Sequence, residues 1–317
     1  MSEIQPKSPR ATQIQVDDGH QGQRIDNFLL NHLKGVPRSY VYRIVRRGEV
    51  RVNKGRIRAN YRLREGDVVR IPPVRIAARP EGVRPHERVL ERLEHAVLYE
   101  DRYLLAINKP SGIAVHGGSG LSYGVIEALR ILRPDERHLE LVHRLDRETS
   151  GCLLIAKKRS ALRVLHELLR SNKVDKRYLA LLAGSWDRRR AEVDAPLLKN
   201  MLQGGERIVR VDAGGKAALT RFRLLERFEK ATLVEARPVT GRTHQIRVHA
   251  AYLGHPILGD EKYGNARANR DFRERGLRRL FLHAQSLRFR WPGEKQDRHI
   301  EAPLEPGLQR LLSELKN

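Results

Sequence analysis

The sequence predicts a mixed α+β protein made of a small basic domain followed by a larger one. Its 317 residues are enough for two hydrophobic cores, and hydrophobic residues make up 40% of the chain. Apolar residues alternate between helical spacing and strand-like runs without a regular βαβ order. A stretch rich in Pro, Gly and charge, from 77 to 92, separates the two regions. These three observations together predict the fold class.

The first part of the chain is typical of a short tail and a compact module. Residues 1 to 19 are polar, and we expect a flexible N-terminal tail. Residues 20 to 76 predict a small domain, with helices in RIDNFLLNHL and RSYVYRIVRRG and short strands in EVRVN, GRIRAN and DVVRI. We expect residues 77 to 92 to be a linker and residues 93 to 317 to form the larger domain.

The larger domain shows further strand and helix patterns. HAVLYED and YLLAINK predict its first two strands. Helices are expected at 125–132 and 160–171, and strands at 151–157, 178–183, 220–225 and 232–237. The segment GNARANRDFRERGLRR, at 264–279, is charged and poor in apolar residues. It suits either a solvated surface loop or an additional contact with a polyanion.

The charge of the chain points to a nucleic acid partner. Lys and Arg total 62 against 38 acidic residues, which gives a formal net charge of +24. Such a charge attracts polyanions and exceeds what solubility requires. Eleven basic and three acidic residues lie between Arg38 and Arg70. A solvated basic helix is the alternative interpretation of this cluster. The residues of this cluster expected to bind the nucleic acid are Arg38, Arg43, Arg46, Arg47, Lys54 and Arg56.

Several classes of protein and site fit the sequence poorly. The single cysteine, Cys152, excludes an internal disulfide, and its apolar neighbours favour a buried small hydrophobe over a nucleophile. The N-terminus lacks a signal-peptide core, and no apolar run approaches the roughly 18 residues of a membrane span. We therefore expect a cytoplasmic protein with no membrane partner. His244 and His249 lack metal-site spacing, HGGSG lacks P-loop spacing, and no coiled-coil pattern demands an oligomer. We expect no metal and a monomer.

The string HRLDRETSG, from His143 to Gly151, is the strongest chemical signal. It places Asp146 between Arg144 and Arg147, with apolar runs on both sides. A carboxylate beside a buried segment is costly unless cations hold it ionised. An isolated Asp in such a place is more often part of a turn or cap.

This string resembles the catalytic motif of the RluA/RluC/RluD-type RNA pseudouridine synthases. NKPSGIAVHGGSG, KRYLALLAG and PVTGRTHQIRVHAAYLGHPILGD resemble further motifs of that family in the same order, and LLKNMLQGGERIVRV resembles its RluC branch. The resemblance extends from about residue 20 to the C-terminus. It implies a long mixed, mostly antiparallel sheet crossed by an active-site cleft. It also implies that the preceding module is a small RNA-binding domain with the α-L motif, named for a ribosomal small-subunit protein.

The resemblance implies an isomerase that converts uridine to pseudouridine in large-subunit ribosomal RNA, at several uridines near the peptidyl-transferase region. The substrate would be the RNA itself or an assembly intermediate. Asp146 corresponds to the essential catalytic residue, Arg247 to its ion-pair partner and Tyr178 to the tyrosine against the target base. Arg144 corresponds to the arginine that fills the space of the flipped base, and Leu145 and Ile246 would form apolar walls. The reaction has no redox change and no external donor, so no cofactor is expected.

Two other functional classes stay open from the residues alone. A non-catalytic RNA-binding ribosome assembly factor would need the basic module, but not Asp146, Tyr178 and Arg247 together. A hydrolytic nucleoside glycosylase would admit water and release free uracil. The carboxylate could act as a nucleophile, as an electrostatic stabiliser or as a base at C2′, and the sequence does not choose among these roles.

Overall fold

The chain forms two units, Met1–Arg84 and Pro85–Asn317, in a computed structural model. The structure describes residues 11–17, 20–33, 36–74, 85–117, 122–136, 138–201 and 207–316. None of the described helices is long and apolar enough to cross a membrane.

The first unit contains the two predicted helices and a small sheet. Helix α1 spans Ile25–His32 and helix α2 spans Arg38–Arg46. The four strands are β1 (Thr12–Gln15), β2 (Arg51–Val52), β3 (Gly55–Arg56) and β4 (Val68–Ile71), in the order β1-β4-β2-β3. The helical spacing of Ile25, Phe28 and Leu29 buries all three in one core with residues of α2 and the sheet.

The expectation of a flexible tail over residues 1 to 19 needs correction at its end. Strand β1 pairs antiparallel with β4, from Thr12 opposite Ile71 to Gln15 opposite Val68. Val16 follows this strand and is buried in the core of the unit. The apolar alternation at residues 14 and 16 is too short to stand out from sequence, but pairing with β4 satisfies the backbone of this segment.

The second unit is built on a long sheet, as predicted. The order of its main path is β10-β13-β14-β9-β15-β8-β6-β5, with β16 paired to β15 and β7 to β8. All of these pairs are antiparallel except the short parallel pair of β8 with β15. The strands are β5 (Val97–Glu100), β6 (Leu104–Lys109), β7 (Glu140–Leu141), β8 (Ser150–Ala156), β9 (Val174–Ala183), β10 (Arg190–Asp194), β13 (Leu219–Arg227), β14 (Ala231–Pro238), β15 (Leu282–Arg290) and β16 (Asp297–Glu301). Strands β11 (Leu197–Met201) and β12 (Arg207–Val211) form a separate pair.

Six helices belong to the described part of the second unit, and four of them lie where no helix was predicted. They are α3 (Glu87–Glu94), α4 (Val125–Leu132), α5 (Arg159–Arg170), α6 (Gln245–Tyr252), α7 (Ala266–Glu274) and α8 (Pro306–Glu314). The predicted strands are present, and so are the two predicted helices, now labelled α4 and α5. The ends of most of these elements differ from the predicted ends by a few residues. Part of HGGSG, residues 118–120, lies outside the described residues.

Helix α3 shortens the expected linker over residues 77 to 92. Leu93 is fully buried, and Val89 and Leu90 pack partly buried in the same cluster as residues of α4. Their helical spacing is hidden in the sequence among five charged residues. The second unit therefore begins at Pro85 rather than at residue 93. Residues 75–84 lie outside the described part of the chain.

Helix α7 replaces the solvated loop considered for residues 264 to 279. The side chain of Asn265 caps it by accepting hydrogen bonds from the backbone N–H groups of Arg267 and Ala268, at 3.0 Å each. Phe272 anchors the helix in the core, where it is 2% exposed. One aromatic side chain and a cap therefore outweigh the high charge of this segment.

Gly151 marks the point where the two halves of the long sheet meet. Strands β8 and β15 run parallel there, with Ser150 opposite His283 and Gly151 opposite Ala284. The φ angle of Gly151 is +108°, and an added Cβ would lie 2.2 Å from the carbonyl oxygen of Ala284. Only glycine permits this approach, which places the HRLDRETSG loop against β15.

We expect Gly151→Ala to destabilise the protein by about 4 kcal/mol or more, because the methyl group overlaps the backbone of Ala284. Gly254→Ala is the matched control, since Gly254 has φ +81° but nothing within 4 Å of its added Cβ. Backbone strain alone should cost that control about 1–2 kcal/mol. Urea unfolding of both variants makes the comparison. Equal destabilisation would show that Gly151 is needed only for its backbone angle.

Candidate active site

All six catalytic and substrate-binding residues predicted in the larger domain line one cavity. The cavity has a volume of ≈ 310 Å³ and lies in the second unit. Asp146 comes from the loop before β8, Tyr178 from β9 and Arg247 from α6. The remaining three predicted lining residues are Arg144, Leu145 and Ile246.

The NKPSG segment fixes the loop that carries Asp146 through hydrogen bonds to its backbone. Lys109 is completely buried, and its Nζ donates to the carbonyl oxygens of Pro110, Ile113 and Arg147 at 2.8, 2.9 and 3.1 Å. Burial, reinforced by the charge of Arg279, lowers the pKa of Lys109 to about 7. These bonds fix the backbone just after Asp146.

Further bonds tie the same loop to residues 111 and 112. Ser111 Oγ donates to the carbonyl oxygen of Glu148 at 2.7 Å, and the Gly112 N–H donates to that of Arg147 at 2.9 Å. The guanidinium of Arg147 donates back to the carbonyl oxygen of Gly112 at 3.0 Å. The position of the Asp146 carboxylate is thus set by backbone bonds on the far side of the loop.

Arg247 faces Asp146 but is held mainly by a second carboxylate, Asp260. Its Nε and Nη2 donate to the two oxygens of Asp260 at 2.7 and 2.8 Å. Its Nη1 lies 3.4 Å from Oδ2 of Asp146. The side chain of Asp260 is 0% exposed and that of Arg247 is 8% exposed. This bidentate pair fixes the plane of the guanidinium, which leaves one nitrogen directed at Asp146.

The charge states of this pair follow from burial and from its partners. Burial acts to raise the pKa of Asp260, but hydrogen bonds and charge from Arg247, with the backbone N–H groups of Lys262 and Tyr263, lower it overall. Burial acts to lower the pKa of Arg247, and Asp260 followed by Asp146 raises it overall. The cation beside Asp146 is therefore permanent.

His244 and Tyr263 complete the wall around the two carboxylates. His244 stands at the start of α6 with a left-handed φ of 54°, and its Nε2 lies 3.9 Å from Oδ2 of Asp146. Its Nδ1 is 2.7 Å from the hydroxyl of Tyr263, whose ring lies 5.1 Å from the guanidinium carbon of Arg247. Burial is the main cause of the lowered pKa of His244, which favours a neutral imidazole.

Tyr178 and Arg144 face the cavity from different elements. Burial and then the charge of Asp146 raise the pKa of Tyr178, so its phenol stays protonated. Leu145 and Ile246 are 5% and 6% exposed and supply the apolar walls that were predicted. Arg144 is exposed, and no carboxylate of the described residues lies within ion-pair distance of it. Its charge is available to a ligand.

Sequence reasoning missed several residues that build this site. Asp260 closes the long motif that was matched, but only its burial beside Arg247 shows its importance. Asn269 of α7 supports it, because the Asn269 side chain donates to the carbonyl oxygen of Asp260 and accepts from the Gly259 N–H, both at 2.9 Å. His244 was considered only as a metal ligand. Lys109 belongs to the NKPSG motif that the sequence analysis identified, but the motif did not reveal that its ammonium group bonds to the Asp146 loop.

The six basic residues expected to bind RNA all lie exposed on the first unit. Arg38, Arg43 and Arg46 belong to α2, and Lys54 and Arg56 belong to the turn and strand after β2. The guanidinium of Arg43 stacks 4.6 Å from the ring centre of Tyr40. Arg47 lies 3.9 Å from Glu49, so its charge is partly balanced.

Comparison with known proteins agrees with this geometry. Residues 103–252 match the RNA pseudouridylate synthase family, and residues 23–69 match the S4 domain. The ribosomal large subunit pseudouridine synthase C of Escherichia coli K12 is 57% identical over 99% of both chains. The protein of the same name from Pasteurella multocida is 57% identical over 96% of this chain and 93% of its own.

The chain belongs to the RNA pseudouridylate synthase family. It is an isomerase, and the resemblance to the RluA/RluC/RluD-type enzymes and their RluC branch is confirmed. A solved structure of human RNA pseudouridylate synthase domain containing 4 is 28% identical and covers 72% of this chain and 96% of its own, with a TM-score of 0.60. The corresponding human domain containing 1 is 27% identical with the same coverage and a TM-score of 0.56.

We expect Arg247→Ala to reduce turnover strongly and to destabilise the protein by about 3–5 kcal/mol, because Asp260 is left buried without its cation. Arg247→Lys should recover part of both the turnover and the stability, since an ammonium restores the charge but cannot bond both oxygens of Asp260 and also face Asp146. Single-turnover assays and urea unfolding measure the two effects. Full activity in both variants would exclude a role for this guanidinium in the site.

Proposed function

We propose that this protein isomerises uridine to pseudouridine in large-subunit ribosomal RNA, at several positions near the peptidyl-transferase region. Relatives that are 57% identical over nearly the whole chain are named ribosomal large subunit pseudouridine synthase C, which supports the large-subunit part of the proposal. The observation that carries the proposal is the position of Asp146, in a cavity with Tyr178 and opposite a fixed guanidinium. The substrate is the rRNA itself or an assembly intermediate.

The chemistry requires a carboxylate at the sugar of the target nucleotide. The bond between N1 of uracil and C1′ breaks, the base turns, and a bond between C5 and C1′ forms. A proton leaves C5 and N1 gains one, so the atoms balance without a cofactor. Positive charge develops on the sugar as the first bond breaks, and Asp146 is placed to stabilise it or to attack it. Arg247, held by Asp260, faces Asp146 and orients its carboxylate.

The target base must leave its helix or loop to reach this cavity. Extrusion costs a few kcal/mol and is least costly where pairing is weak. Tyr178 lines the cavity and offers a ring for stacking, worth on the order of 1–3 kcal/mol. Arg144, exposed at the cavity and without a carboxylate partner among the described residues, takes the space that the base vacates and contacts phosphate. The walls from Leu145 and Ile246 exclude water from the base, which favours isomerisation over hydrolysis.

The S4 domain supplies affinity for RNA in this proposal. The exposed cations of α2 and of the following hairpin, named above, contact phosphate. Such contacts carry little sequence information, so they position the RNA while the catalytic unit selects the uridine. The described residues that line the catalytic cavity all belong to the second unit, which supports this division of labour.

We expect Asp146→Asn to abolish product formation while RNA affinity changes by no more than a few fold, because binding rests on many cations and chemistry on one carboxylate. Glu148→Gln is the matched control, since Glu148 lies in the same loop but is 47% exposed. It should keep near wild-type activity. The assay quantifies C5-linked nucleoside and free uracil from one transcript. An Asn variant that isomerises near the wild-type rate would refute the assignment, and free uracil as the main wild-type product would indicate a glycosylase.

A further inference from the structure

A second cavity opens beside the catalytic one. It has a volume of ≈ 650 Å³ and shares four wall residues with the catalytic cavity, namely Asn172, Lys176, Pro238 and Val239. Its other walls come from α5, from the ends of β9, β13, β14 and β15, and from Asp297 of β16. The two cavities are therefore adjacent, and we call the second one the arginine groove. An RNA strand whose base occupies the catalytic cavity has the groove beside it.

Cations dominate the walls of the arginine groove. Two carboxylates, Asp175 and Asp297, stand against six basic side chains. The six are Lys173, Lys176, Arg221, Arg237, Arg288 and Arg290. The excess of positive charge in a concave space attracts a polyanion. The evenly spaced phosphates of RNA match this row of cations better than an acidic protein surface, whose negative charges have no fixed spacing.

Four of these cations stand close to another cation. Arg221 and Arg237 are directly opposite each other on β13 and β14, where like charges repel, although Arg221 also pairs with Glu192 at 2.6 Å and Arg237 with Asp175 at 2.7 Å. Arg288 and Arg290 both depend on the single carboxylate of Asp297, at 2.9 and 2.8 Å. The exposed fractions of these four side chains run from 46% for Arg237 to 64% for Arg290. A phosphodiester backbone in the groove would relieve the repulsion.

Lys176 stands where the two cavities join. It precedes Tyr178 by two residues on β9, so both side chains point to the same face of the sheet, and both line the catalytic cavity. Among the described residues no carboxylate forms an ion pair with its ammonium group. Burial lowers the pKa of Lys176, and the charge of Asp175 opposes this effect. A partly buried cation with no carboxylate bonded to it is a ready site for a phosphate.

We propose that the arginine groove binds the sugar–phosphate backbone of the RNA on one side of the target uridine, with Lys176 at the phosphate nearest the flipped nucleotide. The groove then fixes how far the strand enters the catalytic cavity. It acts on one flank only, because it borders the catalytic cavity on one side, the side formed by the four shared residues. The proposal rests on the assigned RNA-modifying activity and adds the path of the strand.

The test uses full-length protein and a transcript that the wild-type protein modifies. Arg237→Gln/Arg290→Gln removes two groove charges without leaving a carboxylate unpaired, since Asp175 keeps Arg177 and Asp297 keeps Arg288. Lys176→Gln tests the junction. Arg310→Gln is the control, because Arg310 is exposed and lies outside both cavities. If the double variant unfolds at a lower urea concentration than wild type, the single variant Arg290→Gln replaces it in the test.

We expect the double variant to raise KM about tenfold with a smaller change in kcat. Its slope of log affinity against log salt should fall by roughly 0.7–0.9 for each phosphate that the variant no longer neutralises. Lys176→Gln should raise KM in the same way, and Arg310→Gln should match wild type. Shortening the transcript on one side of the uridine should abolish the difference between wild type and double variant, while shortening the other side preserves it. Salt slopes equal to wild type, or a difference that survives both truncations, would overturn the proposal. Pseudouridine formation by wild type on the same transcript checks the activity itself.

Discussion

Asp260 is the buried carboxylate on which the geometry of the active site depends. It has no exposure, so its charge is tolerable only because Arg247 and two backbone N–H groups bond to it. That bidentate bond uses two of the guanidinium nitrogens and fixes the third opposite Asp146. A cation held in this way is preorganised, since in the proposed reaction it does not have to turn when charge develops on the sugar. Among the described residues, the carboxylate of Asp146 lies within ion-pair distance of Arg247 and His244.

The opposite side of the site is set by the backbone rather than by ion pairs. Lys109 binds three carbonyl oxygens beneath the Asp146 loop, and Gly151 allows that loop to lie against β15. Asp146 therefore precedes a strand of one half of the long sheet, and Arg247 lies on α6, which packs against the other half. Tyr178 contacts the hydrophobic clusters of both halves. Packing of the two halves, rather than a local motif, sets the distance between Asp146 and Arg247.

Asp146, Tyr178 and Arg247 could be predicted as one site because each residue stands in a continuous motif, and the structure places all three around one cavity. It did not predict Asp260 as the partner of Arg247, since a buried ion pair is a property of the assembled core. Strand β1 and helix α3 were missed because their apolar residues are few and are stabilised by pairing with β4 and packing on α4. Helix α7 was missed because one buried Phe272 outweighs its many charges.

A double-mutant cycle on Asp260→Asn and Arg247→Lys measures most directly whether the two residues act as one unit on Asp146. The quantity compared is the activation free energy of pseudouridine formation in single turnover, for wild type, both single variants and the double variant. The structure predicts strong non-additivity, with the double variant no slower than the worse single variant and a coupling of about 1–3 kcal/mol. Effects that add to within about 0.5 kcal/mol would contradict it, because Asp260 would then not act through Arg247.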